Sequence, residues 1–109
     1  MLNNEAIANI EKLKSVATDA FGNNVDFGEI EVIKSPYPAF EMQLTLYKKY
    51  NVLLEYETST FALKLFTGEK FEYLDKVTKD KIFYGFDSMI PENIAHNFDI
   101  LDKALRMMN

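Results

Sequence analysis

A regular alternation of apolar and polar residues between positions 40 and 66 constrains the fold more than any other feature. From position 40 to 46 every even residue is apolar and every odd residue is polar. Successive side chains of a strand point to opposite faces, so this spacing predicts a strand with one buried and one wet face. Segments 52–57 and 61–66 repeat the alternation after connections of a few residues. Connections that short allow only antiparallel neighbours, and the region therefore predicts a meander.

Weaker strand signals lie on both sides of this region. Residues 27–33 precede it, separated by the Pro-containing breaker 35–38. Residues 71–74 follow it after a Gly-containing turn, and residues 81–86 follow a polar link. Alternation bounded by turn residues is the usual sign of a strand, so we expect a sheet of five or six strands.

Two amphipathic helices are predicted at the ends of the chain, over 4–21 and 91–107. Their apolar residues recur at three- and four-residue spacing. Gly22 suits the end of the first helix and Pro91 the first turn of the second. The apolar stripes consist of Ile7, Ile10, Leu13, Ala17, Ala20 and Phe21 in the first helix, and of Ile94, Phe98, Leu101, Leu105 and Met108 in the second. Both stripes need the one apolar sheet face, so we expect an α+β fold with both helices packed on one face of the antiparallel meander.

Composition limits the class of protein. The 109 residues are 48% hydrophobic and 27% charged, which predicts one folded domain over 1–109. The absence of cysteine excludes disulfides and suits a reducing cytoplasm. The net charge of -5 argues against a nucleic-acid partner, and no apolar run is long enough for a membrane span.

Catalytic and metal-binding motifs are absent from the sequence. The only histidine, His96, has Glu92 and Asp99 within one helical turn, a spacing compatible with an acid–base pair but more common in ordinary helices. One histidine without cysteine cannot build a zinc site, and the four glycines are too scattered for a phosphate loop. We therefore predict a protein that is not an enzyme and has no metal or cofactor. The competing hypothesis is a hydrolase or lyase that uses His96 and a nearby carboxylate.

The outward face of the predicted sheet is the most informative surface. Its mixture of acidic, aromatic and aliphatic side chains is typical of a protein-binding patch. Tyr37, Tyr47, Phe66 and Tyr73 are the candidate aromatic anchors. The strand phases place on this face Glu41, Gln43, Tyr47, Leu53, Glu55, Glu57, Lys64 and Phe66.

Four segments carry a resemblance to a known class of proteins: NVLLEYE at 51–57, FALK at 61–64, YGFD at 84–87, and PENIAHNF at 91–98 followed by Leu101 and Asp102. Together they resemble small immunity proteins of bacterial polymorphic-toxin systems, over roughly the second half of the chain. The resemblance implies a compact cytoplasmic α+β domain, encoded beside a toxin, that neutralises the toxin by tight binding.

The leading hypothesis is thus an immunity-type protein whose partner is a cognate toxin. The residues predicted to contact it are Tyr47, Leu53, Glu55, Glu57, Phe66, Asp87, Glu92 and His96. The alternative is a ligand-binding or regulatory domain with an apolar pocket between sheet and helices, lined by Phe40, Leu44, Tyr56 or Phe98. The identity of the toxin and the oligomeric state stay open, although an unpaired edge strand at 27–33 could support a symmetric dimer.

Overall fold

The structure, a computed structural model, describes residues 4–33 and 39–108. Its elements follow one another as helix α1 (Asn4–Phe21), strands β1 (Val25–Val32), β2 (Ala39–Leu46), β3 (Tyr50–Glu57), β4 (Thr60–Phe66) and β5 (Phe71–Tyr73), helix α2 (Leu74–Val77) and helix α3 (Pro91–Met107). Both long helices have the predicted bounds. The breaker predicted at 35–38, with Tyr37 in it, lies outside the described residues.

The five strands form a single antiparallel sheet whose order is the order of the chain. Phe40 of β2 pairs with Tyr56 of β3, which pairs in turn with Phe61 of β4. Thr58 and Ser59 join β3 to β4 with φ values of 45° and 60°. Positive φ at both residues of a two-residue turn matches the twist of the adjoining strands. The predicted meander is confirmed, with five strands.

One face of this sheet carries the hydrophobic core, and both long helices cover that face. In the three central strands the core side chains are the even positions 40–46 of β2 and 52–56 of β3 and the odd positions 61–65 of β4; Val25 of β1 and Ala39 of β2 are also buried. The helices bury Ala6, Ile10, Leu13, Ala17 and Phe21 from α1, and Ile94, Asn97, Phe98, Ile100, Leu101, Ala104 and Leu105 from α3. The predicted two-layer α+β architecture is confirmed.

The predicted helix stripes are wrong at three positions near the helix ends. Ile7, Ala20 and Met108 are exposed. Ala6 is fully buried in place of Ile7, so the first turn of α1 meets the sheet one residue earlier than the spacing predicts.

Aromatic side chains join the two layers. The Phe98 ring of α3 lies 6.1 Å from Phe61 of β4 and 5.8 Å edge-on from Phe21 of α1. Tyr56 stacks on Phe40 at 4.8 Å, and its buried hydroxyl accepts hydrogen bonds from Asn9 Nδ2 at 2.7 Å and from the backbone N–H of the turn residue Ser59 at 3.0 Å. Each buried polar atom of this contact therefore has a partner, as burial requires.

The prediction of a last strand over 81–86 is wrong. Backbone groups of this segment form hydrogen bonds with side chains of α3 and not with a neighbouring strand. Asn97 of α3 is 2% exposed and makes two hydrogen bonds to Phe83. Its Oδ1 accepts the Phe83 N–H at 3.0 Å, and its Nδ2 donates to the Phe83 carbonyl at 3.1 Å. A 3-10 turn, Gly85–Met89, follows directly. The two other departures nearby are a strand β5 one residue shorter than predicted and the short helix α2 in the predicted polar link.

The two edges of the sheet are protected in different ways. Beyond the short β5, the fully buried Ser88 closes the edge of β4: its Oγ accepts the Phe61 N–H at 3.1 Å and donates to the Gly85 carbonyl at 2.6 Å. At the other edge, β1 is interrupted by a register shift between Phe27 and Ile30. Bulges weaken an edge as a template for further pairing, so β1 is a poor strand for joining a second copy.

Replacing Asn97 by alanine is expected to lower the free energy of unfolding by about 2 kcal/mol, because two partly buried backbone groups of Phe83 lose their partners. Urea denaturation followed by circular dichroism measures the change. Asn93→Ala on the same helix is the matched control, since Asn93 makes one exposed hydrogen bond to the Asp87 carbonyl. Equal losses in the two variants would contradict the proposed role of Asn97.

Candidate protein-binding surface

The face of the sheet that points away from the helices, termed the outer face, is acidic. It is formed by the odd positions of β2 and β3, the even positions of β4, and the residues paired with them on β1 and β5. Lys64 is the one base that the described strands place there. The carboxylates on this face belong to Asp26, Glu31, Glu41, Glu55 and Glu57.

Three of these carboxylates form a row across neighbouring strands. Glu31 of β1 is the direct partner of Glu41 on β2, and Glu41 is the direct partner of Glu55 on β3. Like charges directly opposite one another destabilise a sheet by a few tenths of a kcal/mol to about 1 kcal/mol. The row is thus a feature that the fold tolerates rather than one that stabilises it.

At one end of the row, Lys64 neutralises the charge of Glu55 and Tyr73 hydrogen-bonds to it. Lys64 Nζ lies 3.2 Å from Glu55 Oε2 and 4.6 Å from the centre of the Tyr73 ring, while the Tyr73 hydroxyl donates to Glu55 Oε1 at 3.0 Å. Burial lowers the pKa of Lys64, but Glu55 and Tyr73 outweigh that effect and raise its pKa overall. The lysine is therefore held as a cation in contact with an aromatic ring and a carboxylate.

Exposed aromatic side chains lie beside the acids on the β4–β5 side of the outer face. Phe66 and Phe71 contact each other edge to face, with ring centres 5.4 Å apart. Together with Tyr73 they are 38–42% exposed. Neighbouring exposed aromatics are uncommon on a surface with no partner, and aromatic residues supply much of the binding energy at protein interfaces.

Four of the eight residues predicted to bind the partner lie together on the outer face: Leu53, Glu55, Glu57 and Phe66. Strand alternation within β3 and β4 was sufficient to place them. The candidate anchor Tyr73 of β5 also lies on this face, whereas Phe71, two residues before it on the same strand, was missed.

Tyr47 does not lie on the outer face, and its predicted placement there is wrong. It follows the last residue of β2 in a turn where Tyr47 and Lys48 both have φ of 56°. That backbone conformation directs its ring toward the helices, where it packs edge-on against Phe21 at 6.2 Å. Its hydroxyl donates to Asp102 Oδ1 of α3 at 2.5 Å, and Arg106 binds the other oxygen of the same carboxylate at 3.0 Å.

The remaining three predicted contact residues also lie away from the outer face. Asp87 is in the 3-10 turn beyond the edge of β4, and Glu92 is in the first turn of α3. His96 packs on the Phe83 ring, and its Nε2 lies 2.7 Å from the Lys81 carbonyl. A carbonyl oxygen only accepts hydrogen bonds, so this nitrogen carries the proton. The hydrogen bond ties residues 81–84 to α3.

A groove of about 510 Å³ lies between the two long helices. Its apolar lining includes Val16, Ala20 and Ala95. Four carboxylates also line it, from Asp19, Glu92, Asp99 and Asp102. Lys103 and Arg106 pair with the last two, so the charge of this groove is partly neutralised.

The residues predicted to line the alternative ligand pocket lie in the core: Phe40, Leu44, Tyr56 and Phe98 are each at most 1% exposed. Phe98 also lines the groove between the two long helices. Within residues 4–33 and 39–108, no group of three or more histidine or carboxylate side chains is arranged to hold a metal ion.

Comparisons with known proteins add no assignment: no family model, curated protein or solved structure matches this chain. Among the helices that the structure describes, none is long and apolar enough to cross a membrane.

Glu41→Gln is expected to raise the free energy of unfolding by about 0.5 kcal/mol, because Glu41 has a carboxylate directly opposite on each side. The gain should be larger in low salt, where repulsion is less screened. Urea denaturation at two salt concentrations measures it. Glu11→Gln on the exposed side of α1 makes the same charge change elsewhere and serves as the control. A loss of stability in Glu41→Gln would show that the row is not repulsive.

Tyr47→Phe is expected to lower the free energy of unfolding by about 1 kcal/mol at neutral pH, because a hydrogen bond to a carboxylate is lost. That hydrogen bond, burial and the charge of Asp102 raise the pKa of Tyr47. A raised pKa means that this stabilisation is fully present below about pH 10 and is lost as the pH rises through the folded-state value. Urea denaturation at pH 7 and pH 11 should therefore show the two proteins converging. A difference that is the same at both pH values would contradict this prediction.

Proposed function

We propose that this protein is an immunity-type binding protein that neutralises a basic bacterial toxin in the cytoplasm, with the outer face as its binding surface. The observation that carries the proposal is the combination, on one face of the described strands, of five carboxylates, a single paired lysine and exposed aromatic rings. The resemblance of residues 51–57 and 61–64 to immunity proteins falls on β3 and β4, at the centre of that face.

The chemistry of the outer face favours a cationic protein as partner. Its uncompensated acids would attract a basic surface and speed the encounter, and they would repel nucleic acid. Phe66 and Phe71 would then bury apolar area against the partner, which charge alone does not provide. Binding by a rigid sheet costs little ordering entropy, and this favours tight complexes. A toxin covered in this way cannot reach its substrate or stays in an inactive conformation.

The fold also accounts for why such a face stays available. The helices already satisfy the inner face of the sheet, so the outer face is not required for the core. The Glu31–Glu41–Glu55 row costs stability and would be compensated by positive charge on a partner. Glu55 is paired with Lys64, but Glu31 and Glu41 have no ion pair among the described residues, and an uncompensated cost of this kind is expected of a functional surface.

Phe71→Ala is expected to weaken binding to the purified, catalytically disabled product of the adjoining toxin gene by at least about tenfold, because an exposed aromatic anchor is lost. Isothermal titration calorimetry measures the dissociation constant, which should be nanomolar for the unchanged chain. Association should also slow as salt is added, since the attraction between opposite charges is screened.

Ile7→Ala is the matched control, because Ile7 is an exposed apolar side chain on the helix side of the molecule. It should leave the dissociation constant unchanged. Failure of the toxin to bind the unchanged chain would overturn the proposed function. Weakening by Ile7→Ala but not by Phe71→Ala would move the binding surface from the sheet to the helices.

A further inference from the structure

A cleft of about 560 Å³ opens at one end of the outer face. Strand order places Glu55 and Glu57 of β3 on one side of it, while Tyr73 of β5 and the neighbouring Tyr84 line the other. Ala62 of β4, directly paired with Glu55, lies between the two sides. The small side chain at this strand position leaves the space that a larger residue would fill.

The cleft brings together groups that bind cations. Tyrosine rings attract a cation over their faces, and carboxylates pair with it. The chain itself provides an example next to the cleft, where the Lys64 ammonium lies against both Tyr73 and Glu55. A cation is therefore compatible with this arrangement of ring and carboxylate.

The other half of the cleft has the same types of group without a cation. Among the described residues, no ion pair or side-chain hydrogen bond engages the Glu57 carboxylate, which is exposed. Tyr84 is 57% exposed, far more than a ring that packs in the core. The Glu57 carboxylate and the Tyr84 ring thus line the same cleft, and neither is paired with a cation of the described residues.

We infer that this cleft binds one arginine side chain of a partner protein, with the guanidinium paired to Glu57 and stacked on Tyr84. The inference rests on the proposed function, since it names the side chain by which a basic partner is recognised. Arginine fits better than lysine, because its planar guanidinium can stack on a ring while it donates two parallel hydrogen bonds to a carboxylate. Lysine offers only a point charge, as Lys64 does beside Tyr73.

The test is a titration of the ¹⁵N-labelled full chain with the peptide acetyl-Gly-Arg-Gly-amide, followed by amide chemical shifts. A single exposed ion pair and one ring contact give a weak complex, with a dissociation constant on the order of 10 mM. Saturable shifts are expected at Glu57, Ala62 and Tyr84. The matched peptide with citrulline in place of arginine has nearly the same shape without the charge and should shift these amides little.

Two variants test the geometry. Ala62→Leu keeps every charge and obstructs the cleft between Glu57 and Tyr84, so it should abolish the saturable shifts. Glu57→Gln removes the pairing carboxylate without changing the shape, and should weaken binding about two- to fivefold. Because Glu57 is exposed, this variant remains informative even if Ala62→Leu fails to fold. Glu11→Gln, with the same charge change on α1, should bind as the unchanged chain does.

The inference is overturned if the citrulline peptide shifts the same amides equally, or if Glu57→Gln binds as tightly as the unchanged chain. The same variants separate it from the proposed function. A toxin that binds the unchanged chain and Glu57→Gln with equal affinity would leave the proposed function standing without the arginine cleft. If the arginine peptide binds in the cleft but the toxin does not bind the chain, the arginine cleft stands and the proposed function is overturned.

Discussion

Burial of one apolar sheet face is the constraint on which the rest of this structure depends. Strands β2, β3 and β4 present their apolar side chains to the same side, and that side must be covered for the chain to fold. Helices α1 and α3 cover it together, joined through Phe98, which contacts both Phe21 and Phe61. With both helices used on one side, the other side of the sheet is left to water. The outer face is thus a direct consequence of how the core is built.

The segment between β5 and α3 is held by side chains that substitute for secondary structure. Asn97 pairs with the backbone of Phe83 as a neighbouring strand would, and Ser88 caps the part of β4 that β5 does not reach. These contacts also position Tyr84 beside the outer face. His96 contributes to the same framework through its contact with the Lys81 carbonyl.

Charge on the outer face follows from strand register rather than from sequence proximity. Glu31, Glu41 and Glu55 are at least ten residues apart in the chain, yet they are directly opposite one another in the sheet. Their repulsion opposes folding, while the exposed rings beside them cost solubility. Both costs have a rationale if a basic protein covers this face, as we propose.

The sequence by itself determined the bounds of α1 and α3, the three central strands, and the side of the sheet on which Leu53, Glu55, Glu57 and Phe66 lie. All of these follow from the spacing of apolar residues along short stretches of the chain, because helices and strands each have a characteristic period. Only the tertiary structure decided the course of residues 81–86, whose backbone partner is a side chain on a distant helix. It also decided the orientation of Tyr47, set by a turn with positive φ and by Asp102. The cleft between Glu57 and Tyr84 likewise depends on contacts between distant segments, which no local pattern encodes.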